Sequence, residues 1–182
     1  MTIVATPGTL PGAPTGPLAT LGAPDGTDQY GAAIRTDAPL LWWRLNQNSG
    51  STTVTDASGN GYNGTINSGV TSSGTTTGAF TGPNEGSTTF AGGAASTTAT
   101  PPASSIWTAN AAALQLGQFT VEAWVRLSSA PTNWQTIVAH GVNPSRNYNL
   151  YTFTDLRVAL TFATSAGLAY LDVPAALVVG LS

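Results

Sequence analysis

The stretch Asp56-Ala57-Ser58-Gly59-Asn60-Gly61-Tyr62-Asn63-Gly64-Thr65 gathers side-chain oxygens among glycines. Glycine adopts positive φ without steric cost, and Asp or Asn closes a local turn onto its own backbone. Calcium takes about six to eight oxygens from carboxylates, amides, carbonyls and water. Asp56, Asn60 and Asn63 are therefore the candidate calcium ligands. A lone carboxylate is also what a tight turn uses when Asp56 caps the amides of Ser58 and Gly59. The residue types leave both readings open.

A second group suits carbohydrate. A pyranose offers a C–H face to an aromatic ring and hydroxyl edges to directional polar groups. Trp134 and Trp107 lie in polar loops, and Tyr148, Asn149 and Tyr151 follow one another closely, so these five are the candidate sugar contacts. Catalysis finds less material. Glycosidases need two carboxylates about 5 Å or about 6.5–9.5 Å apart. Glu122 has Thr120 and Trp124 at the alternate strand positions, and Glu85 sits in a Gly/Pro loop. The one histidine, His140, ends an apolar strand, no G-x-S-x-G elbow occurs, and there is no cysteine for thiol chemistry, disulfides or thiolate zinc. The expectation is a chain without enzymatic activity.

The elements that must position these residues are β-strands. Alternating bulky residues and Gly/Pro/Asn/Ser punctuation predict strands at 40–45, 53–56, 62–66, 87–90, 118–127, 135–140, 148–151, 157–164 and 169–173. Alternation places Trp42 and Trp43 on opposite faces, with at least one of them, and Trp124, in the core. Residues 28–37 predict a short helix capped by Thr27 or Asp28 and ended by Pro39. Loops at 70–85 and 91–105 are long and low in complexity.

Three motifs in order resemble a known family. Trp43-Arg44-Leu45 followed by the Asp56–Thr65 turn, then Ser87-Thr88-Thr89-Phe90-Ala91-Gly92, then Phe119-Thr120-Val121-Glu122-Ala123-Trp124-Val125-Arg126, are similar to strands of concanavalin-A-like, laminin-G-like domains. The resemblance implies an all-β jellyroll sandwich over residues 38–182, behind a Pro/Gly-rich arm at 1–27 and a helical connector at 28–37. Members continue past the equivalent of Leu171–Ser182 into closing strands, so the resemblance implies a sandwich with an open edge, belonging to a longer product or completed by another subunit. It also implies that an acidic loop of this kind holds structural calcium in some relatives.

Composition sharpens the setting. Charged residues make up 7% of the chain, lysine is absent and the net charge is −3, so no basic stripe supports nucleic-acid binding. Five Trp, five Tyr and five Phe provide for a folded core. No apolar run of about 18 residues predicts a membrane span, and the first residues lack a basic, apolar export signal. An outward-facing β module without such a signal suits a bacteriophage virion, most readily a minor tail protein. The arm would anchor it, with Leu10, Leu18 and Leu21 docking in a neighbouring subunit. The expected partners are other tail subunits, met through the arm and the open sandwich edge, and host-surface glycan. Localisation would be the virion, assembled in the host cytoplasm. A purely structural virion protein and a fragment of a bacterial cell-surface lectin or glycosidase accessory domain are the alternatives.

Overall fold

The computed structural model describes residues 2–4, 28–74, 86–93, 100–141 and 146–173. The docking leucines Leu10, Leu18 and Leu21, most of the arm, and residues 174–182 lie outside them. In chain order the elements are β1 (Thr2–Val4), α1 (Gln29–Thr36), β2 (Leu41–Trp42), β3 (Thr53–Val54), β4 (Gly64–Ile66), β5 (Val70–Ser72), β6 (Thr88–Phe90) and β7 (Ile106–Trp107). A turn of 3-10 helix (Ala112–Leu114) precedes β8 (Thr120–Glu122), β9 (Gln135–His140), β10 (Tyr148–Thr152), β11 (Val158–Thr164) and β12 (Gly167–Val173). Every pairing is antiparallel, in sheets ordered β2-β1-β8, β3-β4-β7, β5-β6 and β12-β11-β10-β9. Among the described residues the fold is all-β with one α-helix.

The helix begins where its cap dictates. Asp28 accepts from Gly31 N at 2.8 Å and also takes Arg44 in a two-pronged pair at 2.8 and 3.1 Å. One carboxylate thus caps α1 and ties it to the segment after β2. Burial works against the charged form of Asp28. The bonds from Arg44 and Gly31 more than reverse that and hold it below the usual carboxylate range.

The strand expected at 40–45 pairs only to Trp43, which bridges to Asp56, because Leu45 turns to φ +58°. Trp42 and Trp43 are both buried, at 2% and 5% exposure. Trp43 enters the core, its Nε1 donating to Tyr62 O at 2.7 Å. Trp42 lies beneath the guanidinium groups of Arg44 and Arg35, at 4.9 and 5.7 Å from its ring. The expectation of Trp124 in the core is corrected. Pairing of β8 stops at Glu122, and Trp124 is 61% exposed, donating to the Tyr30 hydroxyl of α1 at 3.1 Å. Three short strands fall where loops or nothing were expected: β1 between β2 and β8, β5 against β6, and β7 against β4.

The core joins Leu41, Trp43, Val54, Leu114, Val138 and Tyr148, with Phe119, Leu150 and Phe162 packed against them. Phe119 meets Tyr148 at 4.8 Å and Phe162 edge-on at 6.4 Å. Register makes the β9–β12 sheet two-faced. Tyr148, Leu150, Val138 and Phe162 share the inner face. Asn149 and Tyr151 share the outer one with Thr161, Tyr170, Ala159 and Asp172.

Candidate functional site: an aromatic platform on the outer sheet face

The turn before β9 presents Trp134 over the outer face. Trp134 N donates to Asn133 Oδ1 at 2.9 Å, closing the local turn. Its ring stacks on Tyr151 with centroids 5.6 Å apart at 25°, and meets Phe153 edge-on at 5.0 Å. Tyr151 and Phe153 contact each other at 5.2 Å. Aromatic pairs at these separations are favourable in stacked and edge-on geometry, so the indole is held by two rings. It is nevertheless 57% exposed while Tyr151 beneath it is 5% exposed. The platform offers one flat aromatic surface to solvent.

Its rim is polar. The Arg157 guanidinium lies 4.4 Å over the Phe153 ring, donates through Nε to Asp155 at 2.7 Å, and donates through Nη1 to Asp172. Arg157 holds the Asp155 carboxyl below its usual range. Burial raises the Tyr151 phenol, and the neighbouring Tyr170 and Asp172 push it the same way. Tyr170 is 68% exposed on β12. This arrangement can stack against an apolar ring face and exchange hydrogen bonds at its margin.

The five expected sugar contacts are therefore not one surface. Tyr148 is 1% exposed and belongs to the inner face, opposite to Tyr151, because the two lie three positions apart along one strand. This corrects its place among the contacts. Tyr151 and Asn149 share the outer face but are buried, so Tyr151 supports Trp134 from below. Trp107 stands in another sheet, half-exposed, its Nε1 reaching Asn67 Oδ1 at 3.3 Å. Only Trp134 stands free as a platform. Sequence reasoning missed Arg157, Asp155, Asp172 and Tyr170. The D-x-R spacing and the alternation Leu168, Tyr170, Asp172 in the last hairpin were the available signals.

The oxygen-rich loop resolves differently. Asp56 is 6% exposed, its Oδ1 accepting from Trp42 N and Ser58 N at 3.0 Å each, its Oδ2 from Tyr62 N at 3.0 Å. Asn63 Oδ1 takes the Asp56 amide at 2.9 Å, and Asn60 Nδ2 donates to Leu40 O at 2.9 Å. The carboxylate is surrounded by N–H donors, an environment that supplies its positive potential without a cation. These residues do not fit a calcium site. Burial alone would raise Asp56, and the amides of Trp42, Ser58 and Tyr62 with the Ser58 hydroxyl lower it overall. Among the described residues no three His, Cys, Asp or Glu side chains come together as a metal would need.

His140 stacks on Tyr148 at 5.6 Å, with Nε2 3.0 Å from Asn110 Oδ1 and its pKa lowered by burial. That is a structural histidine. Among the described residues no helix is long and apolar enough to cross a membrane. Neither a family model, nor a curated protein, nor a solved structure matches the chain.

Proposed function

We propose that this chain is a non-catalytic carbohydrate-binding and adhesion module, a laminin-G-like jellyroll that serves on a bacteriophage virion within a minor tail protein. The observation that carries the binding reading is Trp134, more than half exposed yet fixed from beneath by Tyr151 and from the side by Phe153. An aromatic of that size ordinarily buries its area, and here the folded chain spends packing on keeping it outward. The three sequence motifs support the jellyroll topology, and the antiparallel sheets are compatible with it. The lysine-free, weakly charged composition supports the virion setting.

A purely structural virion role is the second reading. It is favoured by Leu168 and Leu171, 44% and 57% exposed on β12, which has a strand partner on one side only among the described residues. Such an edge suits packing against another subunit.

Saturation-transfer NMR on the folded chain separates the two. Galactose, N-acetylglucosamine and host cell-wall polysaccharide are the probes. The adhesion reading expects transfer to at least one of them, lost in Trp134→Ala while circular dichroism is unchanged. Silence from every probe sinks it and leaves the structural role.

A further inference from the structure

We propose, resting on the carbohydrate reading above, that the outer face of the β9–β12 sheet takes a neutral oligosaccharide of two or more rings laid along β12, rather than a single sugar. Three features of that face carry the inference. First, the platform has a continuation. Leu168, Tyr170 and Asp172 recur at alternate positions of β12 and so share the outer face. Leu168 and Tyr170 are 44% and 68% exposed. Second, the far end of this row opens into a shallow surface depression of about 280 Å³, lined among others by Gln115, Arg146, Asn147, Ala163 and Leu168. Register fixes the two ends. Asp172 shares a row with Ala159 and Tyr151, on which Trp134 stacks, and Leu168 pairs with Ala163. Four residues of strand separate these rows, about 14 Å at roughly 3.4 Å per residue. That span exceeds one pyranose ring and accommodates a short chain of them. Tyr170 stands midway, able to stack on an inner ring.

Third, the charges cancel. Arg157 is bound by both Asp155 and Asp172, so the Trp134 end has no spare cation for a sugar carboxylate. Arg146 lines the depression at the Leu168 end, so the charged groups placed along the face are two arginines and two aspartates. An acidic sugar at the Trp134 end would meet two carboxylates already in place. A neutral chain of hydroxyls can accept from the guanidinium groups and donate to the carboxylates, with ring faces for Trp134 and Tyr170.

The test is calorimetry on the folded chain with matched oligomer series of one to four rings: galacto-oligosaccharides, chito-oligosaccharides and oligogalacturonates. The expected result is a gain of about tenfold or more in affinity between one and three rings in a neutral series. Tyr170→Ala and Leu168→Ser, at exposed positions, should remove the gain and leave the single-ring affinity. Equal affinity for one and three rings overturns the extended site while leaving carbohydrate binding intact. Preference for the galacturonate series over its galactose counterpart overturns the neutral class in the same way. Failure of every series to bind overturns both this inference and the reading beneath it.

Discussion

Replacing Asp56 by asparagine tests how the entry loop is held. The carboxylate receives three backbone amides, from Trp42, Ser58 and Tyr62, all at 3.0 Å. Asparagine keeps one carbonyl oxygen for Trp42 and Ser58 but turns an amide NH2 toward Tyr62 N, donor against donor. Bonds to a charged group contribute about 1.5–3 kcal/mol and neutral ones about 0.5–1.5 kcal/mol. The two retained bonds should then weaken by about 1 kcal/mol each. Leaving Tyr62 N without an acceptor costs about 1–3 kcal/mol more. The sum is about 3–5 kcal/mol, or about 6–20 °C in melting midpoint for a chain of this length. Urea unfolding at neutral pH measures it. The pH dependence has a defined sign. A carboxylate held below its usual pKa contributes stability that is present above the unfolded value of 3.8 and lost as pH falls through the folded one. The gap between wild type and Asp56→Asn should therefore close on acidification below about pH 4. A neutral-pH difference under about 1 kcal/mol, or a gap of the same size at pH 2.5, refutes the amide-clamp reasoning. So does a rise in the wild-type midpoint on adding millimolar calcium, because a lining of N–H donors leaves no seat for a cation.

Two further predictions follow from the packing. Gly64 is buried where an added Cβ would lie 2.6 Å from Ile106 Cγ2 and 2.9 Å from Trp43 Cζ2, so Gly64→Ala should cost about 1–3 kcal/mol in urea unfolding. Retained stability would mean that the β4–β7 contact is looser than described. Burial pushes the Tyr148 hydroxyl up to about 12 from 10.0. The folded state therefore holds that proton more tightly, and its stabilising contribution is complete below pH 10 and lost as pH rises toward 12. Allowing for solvent screening, on the order of 1–2 kcal/mol should disappear across that window and be absent from Tyr148→Phe. Parallel alkaline curves for the two proteins would contradict it.

What the sequence made legible was local. The cap at Asp28, the turn chemistry of Asp56–Asn63 and the hairpins of β9 to β12 all depend on neighbours within about fifteen residues, and the structure places them near their expected bounds. Three of the short strands, β1, β5 and β7, were not legible; β1 pairs with partners some forty and a hundred and twenty positions away and carries no periodicity of its own. The fate of Trp124 was hidden for a related reason. A β-prone run predicts a strand, but a strand exists only as far as its partner reaches, and β1 offers three residues. The faces of β10 were legible and were missed. Tyr148 and Tyr151 are separated by three positions, so alternation sends them to opposite faces whatever surrounds them. Both could never have met the same sugar.

That parity is what leaves the outer face free for the binding proposed above. The inner residues Tyr148, Leu150, Val138 and Phe162 carry the packing, while Trp134, Tyr170, Leu168 and Asp172 lie on the opposite face of the same sheet. Tyr151 is the exception, buried like a core residue yet facing outward, and its burial is provided by the indole it supports. Removing Trp134 would expose Tyr151, whereas Tyr170 and Leu168 are themselves 68% and 44% exposed. The fold therefore fixes one end of the face firmly and leaves the other as freely exposed side chains. A ligand would find its orientation at Trp134 and draw further affinity from whatever it reaches along β12.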